Sequence, residues 1–176
     1  MIAAWDLPGG STNIDHAIAG QHDPGIGAEI MGAGKFGPPG WHEDPDWKGW
    51  WGDDPPFHTP VYVLTHHTRG PIEMEGGTTF HFIEASPAKA LEQAHKAAAG
   101  QDVRIGGGPS MLRDFIAAGL VDHLHVVQVP ILLGRGVRLW DGLEGLEEQY
   151  SVETVASPSG VTHLTFTRRG ESSEQE

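Results

Sequence analysis

The run Val103-Arg104-Ile105-Gly106-Gly107-Gly108-Pro109-Ser110 reads as a strand that breaks at three glycines and opens a helix. Free backbone N–H groups at a helix start bind anions, and glycines let a pyrophosphate approach the main chain closely. Two common phosphate patterns do not fit. The Gly-x-Gly-x-x-Gly pattern needs a third glycine where Met111 stands, and a P-loop needs Gly-Lys-Ser/Thr. Pro109 also withdraws one N–H from the cradle. A merely tight turn and an anion site are both open readings of this segment.

Other chemistry-bearing residues have less focus. Glu43-Asp44 and Asp53-Asp54 lie among prolines and glycines and read as solvated, and Asp122 reads as the end of a turn before a strand. There are 11 histidines, with His66-His67 after one strand and His123-Leu124-His125 placing two imidazoles on one face of another. No His-Glu-x-x-His pattern, no cysteine and no third ligand at a recognisable spacing accompanies them, so no metal site is expected. A metal-dependent hydrolase using the histidine-rich positions is the remote rival. Ser110 lacks the Gly-x-Ser-x-Gly elbow of a serine nucleophile. No residue declares itself as catalytic.

The elements that would position these groups alternate in type. Val61–Thr65 and Thr79–Ile83 are short β-rich runs. Ser86-Pro87 supplies an N-cap and a first-turn proline, and Leu91, Ala94, His95 and Ala98 follow at helical spacing until Gly100. Val103–Ile105 is a strand, and a helix from Pro109 carries Leu112, Phe115 and Ile116 before stopping at Gly119. Leu124–Leu133 is a strand interrupted at Pro130. Ser151–Val155 and Val161–Thr167 alternate in period two and read as an antiparallel hairpin on the sheet edge. The expected fold is α/β, with a mostly parallel central sheet flanked by helices and an antiparallel C-terminal hairpin, in a single domain over 1–176. Residues 37–60 cannot hold a long helix because prolines and glycines interrupt them; with four of the six tryptophans they read as a long flap that packs onto something.

Composition bounds the function. The chain has 176 residues, 11 Lys and Arg against 24 Asp and Glu, and a net charge of −13. Broad nucleic-acid binding needs clustered cations, which are absent. With 25 glycines and 13 prolines the chain nears low complexity, yet 38% apolar residues give it a core to bury. Zero cysteines exclude disulfides and thiolate chemistry. The start carries no signal-peptide pattern and no window is apolar enough for a membrane span, so a cytoplasmic protein with a small-molecule substrate is expected.

Five segments, in order, resemble the dihydrofolate reductase-like family that includes the RibD C-terminal domain. They are Gly27-Ala28-Glu29-Ile30-Met31-Gly32, Pro60–Thr65, Val103–Gly108, Ala118–Leu124 and Val129–Gly136, within a resemblance running from about Gly25 to Thr167. The resemblance implies a reductase passing hydride from NADPH, with NADH possible, to a pyrimidine- or pterin-like substrate, as in the aminouracil reductase step of riboflavin biosynthesis. It implies that Gly106, Gly107, Gly108, Pro109 and Ser110 hold the pyrophosphate. Thr65 and His66 would lie beside the adenosine ribose and its 2′-phosphate, and Gly32 and Lys35 would complete the phosphate site. Leu132 and Leu133, with Trp50 and Trp51 of the flap, would lie toward the substrate. A non-catalytic nucleotide-binding or dimerisation module of the same fold is the alternative.

Two departures stand out. Relatives carry Gly-Arg-x-x-Phe where this chain has Gly32-Ala33-Gly34-Lys35-Phe36, so the arginine that meets cofactor phosphates is missing, with Lys35 or Arg69 as partial substitutes. Relatives also begin with a central apolar strand, whereas Met1-Ile2-Ala3-Ala4 looks like the residues that follow it. Either the start is set too late or the sheet lacks its first strand, which would leave an edge for a second chain and favour a homodimer.

Overall fold

The computed structural model describes residues 14–20 and 25–170, in two compact units. One holds helix α1 (Ile14–Gly20) with residues 121–136 and 142–170; the other comprises Gly25–Leu120 and Val137–Asp141. The expectation for the first strand falls on residues 1–13, which lie outside the described residues, as do 21–24 and 171–176.

The larger unit is built on a five-stranded sheet. Strand β1 (Ile26–Gly32) leads through a single helical turn, α2 (Ala33–Phe36), into the flap. Strands β2 (Pro60–Leu64), β3 (Ile72–Glu73) and β4 (Thr79–Ile83) follow, then α3 (Pro87–Ala98), β5 (Asp102–Ile105) and α4 (Pro109–Ala117). The order is β3-β4-β2-β1-β5; every pairing is parallel except that of the short edge strand β3. The parallel βαβ arrangement expected from the alternation of elements is therefore present.

Local sequence explains α3. The Ser86 side chain accepts the Lys89 N–H at 3.4 Å and Pro87 occupies the first turn. The buried stripe of α3 is Ala90, Ala94 and Ala98, all at 1% exposure or less, rather than the expected stripe containing Leu91 and His95. Alanines at i, i+4 and i+8 let the helix backbone lie close to the sheet, and the longer side chains turn outward.

On one face of the sheet, Met31, Val61, Val63, Phe80 and Phe82 form an apolar layer with Phe36 and Trp41. Register pairs Glu29 with Val61 and Met31 with Val63, so these positions share that face. The flap lies on it. Phe36 meets Trp41, Phe80 and Phe82 edge-on at 5.0 to 5.1 Å, and Trp47, Trp51 and Phe57 pack alongside. A flap of this composition is ordered by burial rather than by regular hydrogen bonding.

The smaller unit corrects two expectations. The strand read over Leu124–Leu133 is β6 (His123–Gln128), and Val129 to Leu133 are exposed non-strand residues. Pro130 has no N–H to donate and the ladder ends before it. The C-terminal strands, β7 (Tyr150–Ala156) and β8 (Thr162–Arg168), do form the expected antiparallel hairpin. It does not extend the parallel sheet: β8 pairs with β6, giving a separate sheet of order β6-β8-β7. The Tyr150 hydroxyl donates to the Val121 carbonyl at 2.5 Å and anchors this sheet at its base.

Candidate functional site

In open α/β sheets, ligands bind outside the carboxyl ends of the strands. In the larger unit, a cavity of about 400 Å³ lies at those ends. Its walls come from Gly32 and Ala33 at the end of β1, Leu64 to His67 at the end of β2, Glu84 and Ala85 after β4, Pro87 of α3, and Met111, Asp114 and Phe115 of α4. The volume falls within the range of about 300–1,000 Å³ typical of small-molecule sites.

The glycine turn adjoins this cavity without lining it. The Gly106 N–H donates to the Ile30 carbonyl at 2.8 Å, tying the end of β5 to β1. Gly107 and Gly108 then take φ of +93° and +81°, in the left-handed region that side chains avoid. The α4 ladder begins with the Leu112 N–H donating to the Gly108 carbonyl at 3.0 Å, and no side chain caps the helix start. The first-turn N–H groups are thus offered outward. Gly32 joins turn and cavity: a Cβ there would stand 3.6 Å from Met111 Cβ and 3.9 Å from the Gly107 oxygen.

Lys35 lies beside this turn. A side chain on Gly106 would begin 2.7 Å from Lys35 Nζ, and one on Gly107 would overlap the Lys35 chain. Beneath lies an ion pair that the sequence reading missed. Glu29, 1% exposed, accepts from Arg104 Nη2 at 2.6 Å and from Nε at 2.9 Å. Burial pushes the Lys35 ammonium below its ordinary pKa, with the Glu29 charge opposing and Arg104 assisting. The signal in the sequence was one acid in the apolar run Gly27–Met31, matched to Arg104 by strand register.

At the rim, Thr65 is 8% exposed; its N–H donates to the Ile83 carbonyl and its hydroxyl accepts from the His67 N–H at 3.0 Å. That turn places His66 and His67 on the cavity edge. His66 Nδ1 lies 2.7 Å from Glu84 Oε1, and the His67 ring stacks on His42 of the flap at 3.5 Å. Glu84 and Asp114 were missed in the sequence. Glu84 follows β4 as Thr65 follows β2, a correspondence that the parallel register makes visible.

The other candidates are not among the residues that line the cavity. Pro109 and Ser110 form the exposed first turn of α4. Trp51 packs on Phe57 and Phe80, with centroids at 4.8 and 6.0 Å, while Trp50 is 57% exposed and edge-on to Trp47; neither lines the cavity. Leu132 and Leu133 belong to the smaller unit and are exposed. Arg69 sits over the rings of Phe82, Trp41 and Phe36 at 4.6 to 5.7 Å, and its guanidinium donates to the Trp47 carbonyl. It holds the flap. Among the described residues, no group of three or more His, Asp or Glu is arranged to hold a metal ion, and no helix is long and apolar enough to cross a membrane.

Comparison with known proteins agrees with this architecture. A crystal structure of a Shewanella sp. PV-4 protein assigned provisionally to riboflavin biosynthesis matches with a TM-score of 0.54. It is 22% identical over 82% of this chain and 75% of that one, a likeness of fold. A pyrimidine reductase-like protein of Corynebacterium diphtheriae is 16% identical over 83% of this chain and 77% of that one, with a TM-score of 0.48. No curated protein matches. The family model described as the RibD C-terminal domain matches residues 15–161, most of the chain. The chain belongs to the RibD C-terminal domain family, with its dihydrofolate reductase-like fold.

Proposed function

We propose that the protein is a reductase that binds a nicotinamide dinucleotide along the carboxyl ends of its parallel strands and passes hydride to a pyrimidine- or pterin-like substrate. The observation that carries this reading is the turn Gly106–Gly108, which opens directly into an uncapped helix start beside the cavity. A turn with two left-handed glycines leaves the backbone bare where a pyrophosphate needs to approach, and the donors it meets there are main-chain N–H groups. Family membership supports the same reading.

The bound nicotinamide supplies the hydride. The chain's own residues bind, orient and exclude water. Gly106 to Ser110 hold the pyrophosphate, and Lys35 adds positive charge from beneath the turn. Leu64, Ala85, Met111 and Phe115 give the cavity apolar walls, against which a sugar and base lose their hydration. Thr65 and His66 shape the ribose end.

The test is a thermal melt with millimolar NADPH and, separately, NADH. A ligand at about 100 times its dissociation constant adds about 2.7 kcal/mol, a shift of several degrees for a protein of this size. Stabilisation followed by cofactor oxidation with a reducible pyrimidine or pterin is the expected result. Stabilisation without turnover of any such substrate indicates a binding module, and no shift with either dinucleotide removes the cofactor reading.

A further inference from the structure

We infer that the ribose end of this site selects against a 2′-phosphate, so that the chain uses NADH in preference to NADPH, and that Glu84 makes the selection. The inference rests on the dinucleotide reading given above and deepens it. A 2′-phosphate brings close to two negative charges at neutral pH and requires a cation to meet them. The cavity offers the opposite: its two charged walls are the carboxylates Glu84 and Asp114, and neither Lys nor Arg lines it.

The cations that might have filled the gap left by Ala33 are committed elsewhere. Lys35 is drawn beneath Gly106 and Gly107, in the field of Glu29. Arg69 is turned into the aromatic layer under the flap, over Phe82, Trp41 and Phe36. Arg104 is paired with Glu29 at 2.6 Å, Lys89 of α3 with Glu92 at 2.7 Å, and Arg113 with Asp141 at 3.7 Å. The residue beside the ribose, His66, instead has Glu84 as its partner at 2.7 Å.

A carboxylate at this place suits a ribose diol. Its oxygens accept hydrogen bonds from the 2′- and 3′-hydroxyls, the arrangement by which an acidic residue recognises NAD in doubly wound folds. The same carboxylate repels a phosphate at the 2′ position. A hydrogen bond to a charged group corresponds to roughly tenfold or more in affinity.

The experiment is titration calorimetry of the full chain with NADH, NADPH, adenosine diphosphoribose and its 2′-phosphorylated form, for the wild type and Glu84→Gln. Glu84 is 64% exposed in its side chain, so the variant should fold, with an unchanged melting temperature as the control. The wild type is expected to bind NADH and adenosine diphosphoribose at least about tenfold tighter than their 2′-phosphorylated counterparts, and Glu84→Gln to bring both ratios toward one. Equal or tighter binding of NADPH by the wild type overturns the inference while leaving the dinucleotide reading intact, as does a ratio that Glu84→Gln leaves unmoved. Binding of none of the four ligands overturns the dinucleotide reading, and this inference with it.

Discussion

Glu29 and Arg104 occupy paired register positions on β1 and β5, and their side chains meet as a two-donor ion pair at 2.6 and 2.9 Å with the carboxylate almost entirely buried. A buried charge left without its partner is strongly destabilising, whereas the intact pair contributes little net stability. Replacing Arg104 by Met therefore removes both of these hydrogen bonds from the buried Glu29 carboxylate and leaves it with the field of Lys35. The Arg104 side chain is 38% exposed, which places the expected loss near the lower end of the range for broken buried pairs, about 3 kcal/mol. Urea denaturation measures it. The double variant Arg104→Met, Glu29→Leu should recover much of the loss, and a single variant as stable as the wild type would mean the carboxylate is not desolvated.

Lys35 gives a pH dependence of definite sign. Burial holds its pKa below the ordinary 10.5, so between the folded-state value and 10.5 the unfolded chain binds more protons than the folded one. Stability contributed by this group therefore rises with pH across that window, and the charged amine is a burden below it. Lys35→Met should be at least as stable as the wild type at neutral pH and should flatten the alkaline rise. The same variant should weaken dinucleotide binding by about tenfold, because a charge-assisted contact to the pyrophosphate is lost. A steeper alkaline rise in the variant would contradict the assignment.

Asp15 behaves in the opposite sense. The Ser157 hydroxyl and then His163 donate to its carboxylate and hold its pKa below the ordinary 3.8, against the effect of burial. His163 Nε2 stands 2.8 Å from Asp15 Oδ1, and its Nδ1 lies 2.9 Å from His125 Nε2, so that α1 is tied to β8 and β6. A depressed acid pKa stabilises the fold above the unfolded value and loses that contribution as pH falls through the folded one. Asp15→Asn should be clearly less stable than wild type at neutral pH. The two should converge below 3.8, which denaturation midpoints at both ends of the range will show.

What could be read from the residues follows from how local each signal is. The caps at Ser86-Pro87, the glycine turn and the period-two strands are decided within a few residues, and they stand where the sequence puts them. The Glu29–Arg104 pair joins residues 75 apart, and Glu84 matters only because β4 ends beside β2. Neither can be found before strand order is known. The role of Arg69 was misplaced for a related reason. A cation near a phosphate site suggests a phosphate ligand, but whether it faces the ligand or an aromatic layer depends on where the flap lies. The C-terminal hairpin was legible as a hairpin, while its partner strand was not, because antiparallel strands with alternating patterns carry no label for the sheet they join.

The glycine turn separates two physical demands that a single substitution usually confounds. At Gly107 a methyl group would meet both a φ of +93° and the side chain of Lys35, so Gly107→Ala must strain the backbone and displace the cation. At Gly108, φ is +81° and a Cβ would meet nothing within 4 Å, so only the backbone term applies. A positive φ costs a non-glycine residue about 1–3 kcal/mol, and with ψ at 110° Gly108 lies outside the left-handed helical well. Gly108→Ala should lose about that much stability, and a methyl pointing into open space should hinder a pyrophosphate approaching α4. Gly107→Ala should lose more stability and should also erase the alkaline rise assigned to Lys35, because the amine no longer sits beneath the turn. Thermal melts of both variants from neutral pH to about 10, with and without NADH, resolve the two effects. Equal losses at the two positions, with the alkaline rise intact in both, would show that Lys35 does not pack against this turn.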